Sequence, residues 1–360
     1  LGIDFVFYGS MKATRSVINT MVYVLVLVNS VSCTQKETDT KGTQTSANFI
    51  LVSPQESGIT FQNKLEEGPN TNILMYEYFY NGGGVAAGDF NGDGLIDLYF
   101  TSNMGENKMY LNSGHLTFKD ITQSSGTGGR PGPWKTGAAA VDINGDHRLD
   151  LYVSYSGALP PEKRANQLFI NKGNDADNAP VFEESAPGYG LASQAYSNQA
   201  YFFDYDRDQD LDLLLLNHNP KSLPVLNERS TEEFLKVDDP LKGVRLYRQD
   251  PDKFTDVTTS SGISGSALTY GLGIGISDLN DDGWPDFYLS NDYAVPDYLY
   301  INNRNGTFTD RLSESFGHIS HFSMGNDIAD INNDGRPDIY TLDMLPEDNH
   351  RQKLLLSPDN

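Results

Sequence analysis

A nine-residue pattern with oxygen-bearing side chains at positions 1, 3, 5 and 9 occurs five times in this chain. The copies are "DFNGDGLID" from Asp89, "DINGDHRLD" from Asp142, "DYDRDQDLD" from Asp204, "DLNDDGWPD" from Asp278 and "DINNDGRPD" from Asp330. They start about 50 to 75 residues apart, so the chain is an array of like units rather than one unique core. Other elements recur in phase. Small and apolar residues precede each loop ("GVAAG", "GAAAV", "GIGIS"), and β-forming runs follow it ("LYFTSN", "LYVSYS", "LLLLNH", "FYLSND", "IYTLDM"). Next come an apolar patch with a polar end ("KMYLN", "QLFIN", "RLYRQ", "YLYIN") and a Phe-led segment such as "FKDITQSSG" or "FTDVTTSSG".

Four short β runs separated by Gly, Asn and Asp turns describe a four-stranded antiparallel sheet. Such sheets set radially make a β-propeller, which hides its edges by repetition. The expected fold is therefore all-β: a β-propeller of four-stranded antiparallel blades, with five explicit loops belonging to a seven-bladed or similar ring. "SGITFQN", between residues 49 and 84, resembles the end of a unit and is expected to supply strands to a further blade. The last loop lies about twenty residues before the C-terminus, so the fifth unit is expected to be incomplete and the chain a fragment. Helical patterning is confined to short stretches near 228–237 and 346–356.

Carboxylates crowded at alternate positions repel one another unless a cation sits among them. A hard cation such as Ca²⁺ takes six to eight oxygens at about 2.3–2.6 Å. The expected ligands are Asp89, Asn91, Asp93 and Asp97 in the first loop and Asp142, Asn144, Asp146 and Asp150 in the second. The third offers Asp204, Asp206, Asp208 and Asp212; the fourth, Asp278, Asn280, Asp282 and Asp286; the fifth, Asp330, Asn332, Asp334 and Asp338. Position 7 contributes a backbone carbonyl, from Leu95, Arg148, Asp210, Trp284 and Arg336, so its side chain varies freely. Gly94, Gly283 and Gly335 permit the sharp turn at position 6, where His147 and Gln209 must instead take a left-handed conformation. About five Ca²⁺ ions are expected. An EF-hand is excluded: position 12 is Phe100, Val153, Leu215, Leu289 or Thr341, never Glu, and the flanks are strands.

The same acids supply most of a formal net charge of −23, which argues against nucleic acid as a partner. The single cysteine, Cys33, excludes an internal disulfide. It closes "INTMVYVLVLVNSVSC", preceded by Lys12 and Arg15: a basic start, a short apolar run and then small residues, the order of a secretory leader. Residues 1–33 are thus read as upstream residues plus a signal that resembles those of bacterial lipoproteins, with Cys33 lipidated. Residues 34–48 form a polar flexible tether, and 49–360 the repeat domain. The expected location is the outer membrane or cell surface, with membrane contact only through the lipid.

"GVAAGDFNGDGLIDLYF…NKMYLNSGHLTFKDITQSSG" resembles the FG-GAP, or VCBS, repeats of integrin-type β-propellers. It is similar in particular to bacterial lipoprotein members of the group related to cartilage acidic protein. The resemblance covers residues 49–360 and implies Ca²⁺ loops between the first two strands of each blade, with a role in adhesion or ligand binding outside the cell. Relatives with a C-terminal ASPIC/UnbV region make this chain an expected N-terminal fragment.

No GxSxG, HExxH or P-loop signature is present. The six histidines are scattered; His318 and His321 precede the fifth loop and are expected to be structural. A non-catalytic surface propeller binding a protein or glycan partner is the preferred reading. Its contact loops would be those such as "SGTGGRPGPWKTG", containing Trp134, and "SGALPPEKRANQ". The alternative is a secreted carbohydrate-active enzyme, such as a calcium-dependent polysaccharide lyase.

Overall fold

The structure, a computed structural model, describes residues 49–221, 228–251, 253–293, 295–320 and 322–344. The leader, Cys33, the tether, His321 and the helical stretch expected near 346–356 lie outside the described residues. Two compact units are distinguished, residues 1–52 and 53–360. Of the first, Phe49–Val52 are described, and they carry no regular secondary structure. All that follows concerns the second.

Four successive four-stranded antiparallel sheets carry the repeats. Sheet 1 comprises β1 (Val85–Gly88), β2 (Asp97–Phe100), β3 (Lys108–Asn112) and β4 (Phe118–Asp120). Sheet 2 comprises β5 (Lys135–Val141), β6 (Asp150–Tyr155), β7 (Gln167–Asn174) and β8 (Pro180–Glu184). Sheet 3 comprises β9 (Ser197–Phe203), β10 (Asp212–Asn217), β11 (Arg245–Asp250) and β12 (Lys253–Asp256). Sheet 4 comprises β13 (Gly271–Ser277), β14 (Asp286–Asn291), β15 (Tyr298–Asn302) and β16 (Phe308–Asp310). Among the described residues sheet 5 has two strands, β17 (Ser323–Ala329) and β18 (Asp338–Asp343). Each sheet follows chain order from first strand to last, as meandering hairpins must. Among the described residues the one longer helix, Glu228–Leu235, falls in the stretch where the sequence showed helical patterning.

The sheets stack face to face, and the second strands show why. β6, β10 and β14 are buried along their whole length, because successive side chains point to opposite faces and both faces are covered. Leu151 and Val153 enter the core shared with sheet 1, whereas Tyr152 enters the core shared with sheet 3. Leu213 and Leu215 pack toward sheet 2, and Leu214 and Leu216 toward sheet 4. A continuous apolar run such as "LLLL" is therefore a strand between two cores rather than a helix. First strands approach so closely that a methyl group on Gly84 would lie 2.5 Å from the Ala138 nitrogen.

A second contact links the units at their outer edges. The turn after the fourth strand of sheets 1, 2 and 3 ends in a left-handed glycine seated on the outer strand of the next sheet. A Cβ on Gly126 would lie 3.4 Å from the Phe182 carbonyl oxygen, on Gly190 3.2 Å from that of Phe254, and on Gly262 2.8 Å from that of Phe308. Gly58 stands in the same relation to Phe118, at 2.4 Å. It ends the short helix Pro54–Ser57, whose Ser53 and Glu56 form a reciprocal capping box. "SGIT" is thus the end of a unit, as its sequence suggests. The architecture is mostly β, in repeated sheets consistent with propeller blades.

Candidate metal centre

Each Asp-rich loop is the hairpin connection between the first and second strands of a sheet. The register is the same every time: the residue before position 1 pairs with position 9, as Gly88 with Asp97, Val141 with Asp150, Phe203 with Asp212, Ser277 with Asp286 and Ala329 with Asp338. Position 6 is left-handed throughout, including His147 (φ 65°) and Gln209 (φ 80°) as expected. Position 4 is left-handed too, in Gly92, Gly145, Arg207, Asp281 and Asn333. Three of those five lack glycine, which is why sequence alone did not mark the position.

These two inversions fold the loop around its first carboxylate. Asp89 accepts hydrogen bonds from the amides of Gly92 (2.8 Å), Asp93 (3.0 Å) and Gly94 (2.8 Å). Asp142, Asp204, Asp278 and Asp330 likewise accept from the amides at positions 5 and 6, at 2.7–3.1 Å. The amide at position 7 donates to the carboxylate at position 5 in all five: Leu95 to Asp93, Arg148 to Asp146, Asp210 to Asp208, Trp284 to Asp282 and Arg336 to Asp334. Asn91, Asn144 and Asn332 each accept from the position-5 amide through their side-chain oxygens. Arginines engage the position-5 carboxylate in the second and fourth loops, Arg148 on Asp146 and Arg304 on Asp282.

Position 9 does more than face the loop. Asp97 takes the Phe90 amide on one oxygen (3.0 Å) and the Asn112 amide of β3 on the other (2.8 Å). Asp150 joins Ile143 to Asn171, Asp212 joins Tyr205 to Gln249, and Asp286 joins Leu279 to Asn302 in the same way. Asp338 binds Ile331. This carboxylate therefore pins loop, second strand and third strand together. Burial is the main influence on it and pushes Asp97 and Asp150 up to about 6, Asp212 to about 8, and Asp286 upward.

The third loop brings its acids closest. Asp204, Asp206 and Asp208 each offer a ligand atom within 4.8 Å of the others, and this is the one such group of three acids among the described residues. Asp210, expected to contribute only its carbonyl, adds a further carboxylate beside Asp208. Burial first, and then repulsion from Asp208 and Asp204, raises Asp206; burial first, then the hydrogen bond shared with Asp208 and repulsion from the neighbouring acids, lift Asp210 to about 6. Asp206 Oδ1 and Asp210 Oδ1 are both buried without a hydrogen-bond partner. Buried acceptors are nearly always paired, so these two oxygens fit a cation. The loop furthest from the glycine spacing is thus the one whose donors converge best.

Trp134 does not serve as an exposed contact. It is 5% exposed, packed against Tyr76 and Phe79 at ring distances of 5.6 and 5.2 Å, because the segment before β1 folds over it.

Comparison with known proteins agrees with the repeat geometry. The FG-GAP-like repeat family matches residues 79–153 and 278–341, which contain four of the five loops. Cartilage acidic protein 1 of Mus musculus is 30% identical over 158 residues, covering 43% of this chain and 23% of that protein. The Homo sapiens protein is 29% identical over 158 residues, with the same coverage. The Xenopus tropicalis protein is 28% identical over 190 residues, 50% of this chain and 28% of its own length. This chain therefore spans about a quarter of the curated relatives it matches. Among solved structures, one described as the structural basis of recognition of non-reducing terminal N-acetylglucosamine by an Agrocybe aegerita lectin aligns with a TM-score of 0.39. Its identity is 16%, over 70% of this chain and 59% of that one. The chain carries FG-GAP-like repeats and is distantly similar to cartilage acidic protein 1.

Proposed function

We propose that this chain is a non-catalytic, calcium-stabilised β-propeller module, exported and displayed at the cell surface on a lipidated Cys33, that binds a protein or glycan partner. The observation that carries this reading is one loop geometry built five times, with unpaired buried carboxylate oxygens where the acids are densest. Ca²⁺ would be held by the side chains at positions 1, 3 and 5, the carbonyl at position 7 and the acid at position 9, about five ions in all. The ion would supply charge neutralisation and oxygen coordination. The chain's own residues fix the loop through backbone amides and tie it to the third strand. The seating of Gly58 on Phe118 supports a ring in which another unit precedes sheet 1, as in a seven-bladed or similar propeller.

Ligand that binds only the native state stabilises it by about 2.7 kcal/mol at one hundred times its Kd. The test is calcium stoichiometry with paired thermal melts in calcium and in chelator. Four or five ions and a large fall in Tm on chelation are expected, with calcium restoring Tm better than magnesium. Zero or one ion with no change in Tm refutes the reading. Activity on a panel of acidic polysaccharides would favour a lyase instead.

A further inference from the structure

The sheet-to-sheet seams differ on the loop side. Within β7, the Asn171 side-chain amide donates across the seam to the Phe90 carbonyl in the first loop, at 2.8 Å. At the end of β15, Asn302 does the same to the Tyr205 carbonyl in the third loop, again at 2.8 Å. The residue in phase at the end of β11 is Gln249. It makes no bond to Ile143, the equivalent carbonyl in the second loop, and its Oε1 is buried without a partner. Among the described residues no hydrogen bond joins the second loop to sheet 3. This seam opens into a cavity of about 700 Å³, against about 390 Å³ at the equivalent place of the seam that Asn302 bridges. It lies between Ile143 and Asn144 of the loop, Glu184 and Tyr189 after β8, and Gln249 and Phe254 of sheet 3. That volume is within the range of small-molecule sites.

We propose that this wedge binds one neutral saccharide unit of a glycan, an inference that rests on reading the chain as a binding module. Its polar lining offers both acceptors and donors, the Glu184 carboxylate beside Asn144, Ser185, Gln249 and Lys253, a mixture matched by hydroxyl groups, which both donate and accept. Its charges balance. Asp250 is already engaged by Arg248 at 2.8 Å and by Thr255 at 2.5 Å, and the exposed Lys253 stands opposite Glu184. Ile143, Phe254 and the partly exposed Tyr189 give an apolar floor of the kind that receives the C–H face of a sugar ring.

Gln249→Asn installs the residue that closes the other two seams. Calorimetric titration of the full chain in calcium with methyl glycosides of neutral hexoses and N-acetylhexosamines is expected to show millimolar binding. Gln249→Asn should weaken that binding about tenfold or more without lowering the calcium-bound melt. Equal binding by Gln249→Asn and the parent overturns the proposal. So does a parent that binds no glycoside, or one that binds oligolysine instead, even when paired melts show calcium stabilisation intact. Should Gln249→Asn fail to fold, Glu184→Gln, on an exposed side chain, carries the test. It should weaken glycoside binding about fivefold, and no change overturns the wedge as the site.

Discussion

Replacing Asn302 by Ala should cost far more than replacing Gln249 by Ala, although the two residues occupy the same place in neighbouring sheets. The Asn302 side chain is 2% exposed and makes three bonds: to the Tyr205 carbonyl (2.8 Å), to the Pro285 carbonyl (3.3 Å) and from the Arg304 amide (2.8 Å). At about 1 kcal/mol net per bond, with about 1–3 kcal/mol more for leaving the Tyr205 carbonyl dry and unpaired, the loss comes to about 4–6 kcal/mol. Gln249 keeps its backbone bond to Asp212 (2.9 Å) after truncation and gives up a side-chain oxygen that had no partner. Its Ala variant should therefore lie within about 1 kcal/mol of the parent. Urea unfolding in saturating calcium, with a common slope, measures both. Equal losses would refute the claim that the asparagine at this place fastens adjacent sheets and that the glutamine does not.

Asp206→Asn should have opposite signs in two buffers. In chelator it removes a buried, mutually repelled carboxylate and should raise Tm; in calcium it removes a ligand and should lower Tm, so a shift of one sign in both argues against a cation at the third loop. His218, fully buried beside Tyr76, Tyr78 and Ser156, is held neutral, with burial pushing its pKa down to about 3 from an ordinary 6.5. As pH falls below 6.5 the unfolded chain takes up a proton that the native chain refuses, so stability should drop by about 2 kcal/mol between pH 6.5 and 5. His218→Gln should remove that part of the slope in urea midpoints, and an unchanged slope would show that His218 titrates normally. Gly84→Ala forces a methyl against the Ala138 backbone and should cost about 1–3 kcal/mol by chemical denaturation.

The strands, their grouping in fours and the loops between first and second strands were legible because each rests on local chemistry: β-forming runs, Gly and Asn turns, and acids at alternate positions. The left-handed residues at position 6 followed from the glycines of three loops. What escaped was everything held by a distant partner. Asn171 of β7 and Asn302 of β15 read only as the polar ends of apolar patches, since the carbonyls they bind lie 81 and 97 residues earlier. The position-9 aspartates read as ligands alone, because the third-strand amide is 15 to 37 residues downstream. Trp134 read as an exposed loop residue because the aromatic segment that covers it precedes the first repeat. The Asp210 carboxylate was overlooked for a simpler reason: position 7 varies in the other loops, and only here is it acidic.

The turn that seats each unit on the next bears on how such a chain can lengthen. Because Gly58, Gly126, Gly190 and Gly262 all meet the equivalent atom of the following sheet, these four junctions present the same two halves. A whole unit inserted or deleted by duplication would find a matching socket on both sides. Selection could thus alter the number of units without redesigning any boundary. Divergence is then free to fall on a single seam, as it has where glutamine stands in place of asparagine.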